Sequence, residues 1–128
     1  MSGPTWGYTV VMLFTLLACG NFSGPSTELL GRWVGNCDVM LEGGTALSVI
    51  DLTLDAEADG GLTGFGDVSE YDTLTGTATL LESDGDVDIQ ITDGSETYTI
   101  LGTWDGADQI TGACGDGEYL SGYVLLSR

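Results

Sequence analysis

The chain contains no histidine and no lysine, and its only basic side chains are Arg32 and Arg128. Without a histidine, the Ser-His and Cys-His nucleophile systems are impossible. Paired carboxylates remain available for acid–base work of the kind glycosidases use. Here, however, the acids fall mostly at turn signals and on the polar side of alternating segments. No catalytic residue is assigned, and the chain reads as a non-enzyme. Cations are scarce against 20 acidic residues, giving a formal net charge of -18. Such a charge repels nucleic acid and anionic lipid headgroups, which excludes DNA and RNA as partners. Its functional reading is a cation-binding or cation-partner surface; the simpler one is solubility, with screening by salt relieving the self-repulsion. No segment carries a helical period, and no apolar run reaches the ~20 residues of a transmembrane helix. Hydrophobic residues make up 42% of the chain, enough for a real core.

The longest apolar run, Val10 to Leu17, lies near the start and has the length of a signal-peptide core. It departs from a typical signal in that residues 1–9 carry no Lys or Arg. The run ends in Leu16-Leu17-Ala18-Cys19, which resembles the lipobox of bacterial lipoproteins. That resemblance implies cleavage before Cys19 and acylation (palmitate among the chains) of its thiol. The protein would then be a membrane lipoprotein of the bacterial cell envelope. Each buried CH₂ adds about 0.8 kcal/mol, and firm attachment takes more than one chain. Gly20 rather than Asp follows the cysteine, which favours the outer membrane. The alternatives are an ordinary secretory signal cut after Ala18 and a short membrane anchor. The chain divides into a signal peptide (1–18), a lipidated cysteine and tether (19–28), and one domain (29–128).

With Cys19 lipidated, Cys37 and Cys114 remain as an even pair. In an exported protein the default is a disulfide. It would close a loop of about 80 residues, worth roughly 4–4.5 kcal/mol on the chain-entropy model. A metal site built on two thiolates would lack any histidine or further cysteine, so no metal is assigned.

From Leu29 onward the chain alternates. Ile50, Leu52, Leu54 and Ala56 lie opposite Asp51, Thr53 and Asp55, and Val87, Ile89 and Ile91 opposite Asp88 and Gln90. This is the pattern of antiparallel sheet buried on one face. Asp-Gly pairs at Asp59, Asp84, Asp93, Asp105 and Asp116 mark tight turns. The spacing predicts about eight strands: 29–36, 46–56, 62–69, 73–81, 87–92, 97–105, 109–113 and 119–127. All connections are short, so each strand should pair with the next, and the set can close as an up-and-down barrel. In such a meander the first and last strands meet. Cys37 follows the first and Cys114 precedes the last, so their bridge would pin the seam. At the other end Trp33 would meet Arg128, and a guanidinium over an indole is favourable by about 0.5–2 kcal/mol.

Gly31-Arg32-Trp33 resembles the GxW element that opens the barrel of lipocalins and the wider calycin group, with Arg128 placed like the arginine that packs across that Trp. The resemblance implies an all-β calycin-like barrel and no particular ligand; a second lipocalin motif is absent. A membrane-spanning barrel is disfavoured, because one face of most strands carries Asp, Thr and Ser while the other is needed for the core.

Two partner classes follow. A barrel with internal space would hold a small apolar ligand against Leu52, Leu54, Ile89, Ile91, Tyr98, Ile100 and Trp104, with Ile50 and Val87 beside them. A filled barrel would instead serve as an envelope scaffold or a protease-inhibitor-like interaction module. Gly64, Gly66, Gly76, Gly102 and Gly122 either mark sheet corners or open room for a ligand. Residues 55–60 resemble the opening of a calcium loop, but position 66 is glycine where the loop needs Glu. Turn chemistry accounts for that stretch, and for Asp84, Asp86 and Asp88, without a metal. No cofactor is assigned.

Overall fold

The computed structural model describes residues 26–117 and 119–128. The signal segment 1–18, Cys19 and the tether up to residue 25 lie outside the described residues.

The alternating segments form eight antiparallel strands: β1 Gly31–Leu41, β2 Gly44–Ala58, β3 Gly61–Glu70, β4 Leu74–Ser83, β5 Asp86–Thr92, β6 Thr97–Trp104, β7 Gln109–Asp116 and β8 Tyr119–Ser127. Each pairs with the next, and β8 pairs with β1, so the ring closes into a barrel. Closure pairs every strand on both sides and removes the exposed edges that invite aggregation. Burial follows the two-residue period: Ile50, Leu52 and Leu54 point inward, while Thr53 and Asp55 face out. The inward rows form one core that includes Trp33, Leu62, Leu80, Ile89, Ile100 and Leu126. Of the outward rows, Thr75, Thr77 and Thr79 on β4 are typical. No helix among the described residues is long and apolar enough to cross a membrane.

Several boundaries differ from the sequence reading. Leu29 is not in the first strand but in a 3₁₀ turn, Thr27–Leu29, capped by the Ser26 hydroxyl accepting from the Glu28 N–H at 3.3 Å. This turn seals one end of the barrel, with Leu29 fully buried. β1 runs on to Leu41 and β7 to Asp116, so both cysteines lie inside strands rather than beside them. The alternation continues through each cysteine, because a half-cystine packs as a small apolar residue.

Two of the Asp-Gly turns are tight hairpins with both residues at positive φ: Asp59 (49°) with Gly60 (80°), and Asp84 (52°) with Gly85 (88°). Asp93 and Asp105 instead cap longer turns with their side chains. The Asp93 carboxylate accepts from the N–H groups of Ser95 and Glu96, and that of Asp105 from Ala107 and Gln109.

Inward glycines mark where the sheet coils most tightly. A Cβ on Gly35 would lie 1.8 Å from the Leu125 carbonyl oxygen, and one on Gly64 would lie 1.8 Å from that of Thr53. These are backbone overlaps, which no rotamer change relieves. Gly64→Ala is expected to cost about 2–3 kcal/mol of stability, read as a lower urea midpoint. An unchanged midpoint would show that the barrel does not need close approach at this corner.

Candidate functional site

At the sealed end Trp33 and Arg128 meet as the sequence predicts. Trp33 starts the inward row of β1, and its indole N–H donates to the Leu29 carbonyl at 2.9 Å. The Arg128 guanidinium lies over the indole with its central carbon 4.4 Å from the ring centroid. Its nitrogens donate to the carbonyls of Glu28, Leu30 and Ala107, and Asp108 stands 3.7 Å away as counter-charge. One planar, five-donor group thus ties the 3₁₀ turn, the β6–β7 turn and the first strand together, a task lysine's point charge could not perform. Arg32, the other cation, lies on the outer wall in a bidentate pair with Asp51 at 2.9 and 2.7 Å.

Of the residues expected to line a ligand space, Leu52, Leu54, Ile89, Ile91, Tyr98 and Ile100 are all buried within the single core. Trp104 is not among them: it sits half-buried at the sealed end, donating to the Ala107 carbonyl at 3.2 Å. On the inner wall, a Cβ on Gly66 would fall 2.7 Å from the Ile91 Cδ1. Gly66 on β3 and Ile91 on β5 flank β4, so the Ile91 side chain lies over β4's inward glycine, Gly76, toward the next strand but one.

Cys37 and Cys114 form a disulfide with their Cα atoms 6.1 Å apart. It does not join the first strand to the last. It links β1 to β7 across β8, inside the barrel. The intervening inward residue is Gly122, where a Cβ would fall 2.5 Å from the Cys37 Sγ. The bridge closes a loop with a sequence separation of 77. On the chain-entropy model that is worth about 4.5 kcal/mol.

The opposite end is polar. Among the described residues Ser48 is the only buried polar residue besides the Tyr98 phenol, and its hydroxyl accepts from the Asp72 N–H at 3.4 Å. Tyr98 is 2% exposed, and its hydroxyl has no hydrogen-bond partner. Burial pushes its acidity to a pKa of about 12; Ser48 opposes the shift, and the Asp72 and Asp116 charges add to it. Burial also lifts the Asp72 carboxyl above the ordinary carboxylate value, reinforced by repulsion from Asp116. Sequence reasoning missed this group. Asp72 and Asp116 are 44 positions apart in sequence, and only barrel closure brings the β3–β4 turn beside the end of β7.

The suggested calcium stretch, residues 55–60, is the end of β2 and its hairpin turn. Among the described residues, no three His, Cys, Asp or Glu side chains gather in a way that could hold a metal ion.

Removing the sealing cation should be costly. Arg128→Ala is expected to lower stability by about 2–3 kcal/mol, with Arg128→Lys recovering less than half, both read by urea denaturation followed through tryptophan emission. At the polar end the sign is opposite. The raised Asp72 pKa means that its ionised form is disfavoured in the folded state. The penalty is full above the folded pKa and absent below the unfolded one. Asp72→Asn should therefore raise the melting temperature at pH 7, and the gain should fade as the pH falls toward 3.8, the ordinary carboxylate value. A gain independent of pH would point to packing instead. Comparison with protein-family models, with curated proteins and with solved structures found no match to this chain.

Proposed function

We propose that this is an exported, lipid-anchored, non-catalytic protein of the bacterial cell envelope whose barrel is filled and works through its outer surface. The observation that carries the reading is the single core of fully buried side chains to which every strand contributes, Trp33, Ile50, Leu80, Ile89, Ile110 and Leu126 among them. An eight-stranded barrel is just wide enough for its own side chains to fill. An interaction module or envelope scaffold thus fits better than a carrier of a small apolar ligand in the interior. The calycin-like resemblance is supported by ring closure and by the Trp33–Arg128 stack. The lipoprotein reading rests on Leu16-Leu17-Ala18-Cys19.

The tether sets the geometry of display. The described chain begins at Ser26, beside the sealed end. Seven residues from Cys19 to Ser26 span at most about 25 Å, so a lipid on Cys19 would hold the sealed end close to the membrane and point the polar end away. A net charge of -18 would also keep the wall off an anionic leaflet.

Native mass spectrometry of the exported protein, together with Cys19→Ala, tests the reading. The expected masses are the polypeptide from Cys19 plus acyl chains, two hydrogens lighter for the disulfide, with nothing else retained. Cys19→Ala should release the protein from the membrane fraction. An apolar molecule retained without denaturant would make the interior a ligand site after all. Membrane association unchanged by Cys19→Ala would remove the anchor.

A further inference from the structure

The disulfide occupies a place that no reagent reaches from outside. Cys37 and Cys114 are both fully buried and belong to the core. Their ladder neighbours are buried as well: Ser48 and Val124 flank Cys37, and Ile100 and Gly122 flank Cys114. The β8 backbone closes the wall behind the sulfurs, so tightly that a Cβ on Gly122 would fall 2.5 Å from the Cys37 Sγ and 3.0 Å from the Cys114 Sγ. The three strands concerned, β1, β7 and β8, are each paired on both sides.

Disulfides form and break by attack of a thiolate on a sulfur, through a mixed disulfide. To make this bridge, the thiolate of one cysteine attacks a disulfide-bearing oxidant and expels one of its sulfurs. The thiolate of the other cysteine then attacks the mixed disulfide and expels the second. The oxidant leaves as two thiols, carrying two electrons and the two protons that the cysteines gave up. Between these steps the body of the oxidant is attached to a sulfur of the core. The closed ring does not admit it, since even a methyl group at position 122 would press on both sulfurs. Reduction runs through the same kind of intermediate and meets the same obstacle.

We infer that the Cys37–Cys114 pair is a one-way redox latch on closure of the barrel. It is set only while the ring is open, and closure then puts it beyond oxidants and reductants alike. Until it is set, nothing restrains the loop between two residues 77 positions apart, and a domain of this size has little stability to spare. The reduced chain therefore closes weakly, and oxidation commits it to the ring. The same geometry excludes a redox-sensing role for the folded protein. For an exported chain the order of events follows: oxidation comes after the chain leaves a reducing compartment and before β8 and β1 complete the ring.

The test treats the exported protein, in neutral detergent, with dithiothreitol across a series of urea concentrations below the unfolding transition. Free thiols are trapped by alkylation and counted on the fragments that carry Cys37 and Cys114, so that Cys19 does not enter the count. Neither cysteine should react in the protein as isolated. Thiol release should accelerate with urea in step with global unfolding, followed by tryptophan emission on the same sample. Arg128→Ala, at the opposite end of the barrel, should accelerate release by the same factor as unfolding, roughly thirtyfold. Arg128→Lys should fall between it and the native chain. The double variant Cys37→Ala, Cys114→Ala should melt roughly 20 °C lower or fail to close. Release that ignores urea, or that both Arg128 variants leave unchanged, would mean that reductant enters by a local opening at the polar end, and would overturn the latch. So would free thiols in the isolated protein, or a double variant that melts like the native chain. These outcomes are independent of the filled interior and of the lipid on Cys19, which the native masses report.

Discussion

Closing eight strands into a ring around one buried core is the constraint on which the rest of the molecule depends. A ring this narrow has to coil sharply, and at its corners neighbouring backbones come closer than any side chain allows. Gly35, Gly64, Gly76 and Gly112 occupy those corners, each with a carbonyl where a Cβ would be. The same close approach lets the Ile91 side chain lie over Gly76 toward Gly66 along the inner wall and requires glycine at position 122, where a Cβ would meet the disulfide. Closure then fixes the two ends. One is sealed by Leu29, Trp33 and Arg128; the other collects the polar groups that no core would accept.

The sealed end shows how little local structure is needed once the ring exists. A 3₁₀ turn of three residues has no stability of its own. It holds because its carbonyls meet a guanidinium from the chain's last residue and because Leu29 drops into the core. Those partners are about 100 residues apart in sequence, so the ordering entropy of the turn is offset only after β8 has docked on β1. We read the cap as a late event in folding that reports on completed closure.

Much of the fold was legible because a strand in a closed sheet obeys a two-residue period that few other structures imitate. Ile50, Leu52 and Leu54 against Asp51 and Thr53, and Val87 to Ile91 against Asp88 and Gln90, announce their faces directly. The Asp-Gly pairs located the turns, and the even cysteine pair anticipated a bridge. The cysteines' place within strands was not legible, since a half-cystine obeys the alternation and gives no boundary signal. The polar end was hidden for a different reason: Ser48, Asp72, Tyr98 and Asp116 become neighbours only through topology. The outward leucines left a local trace that alternation alone overlooks. Leu80-Leu81, Ile100-Leu101 and Leu125-Leu126 are apolar doublets in segments that otherwise alternate, and such a doublet must place one side chain outside.

That last pattern bears on where chemistry can reside in a narrow barrel. Inward positions are committed to packing, and any substitution there that opened a site would first destabilise the wall around it. Outward positions are free to vary, and Thr and Asp, which suit a solvated strand, are the commonest residues there. The residues that depart from the pattern are outward apolar side chains spread over several strands, Val34, Leu47, Phe65, Leu81, Leu101 and Tyr123 among them. The Tyr98 phenol, buried with its oxygen unpaired at the polar end, departs from it on the inward side. An apolar side chain left outside adds nothing to the core, so a contact can be gained or lost on the outer wall without first destabilising the barrel.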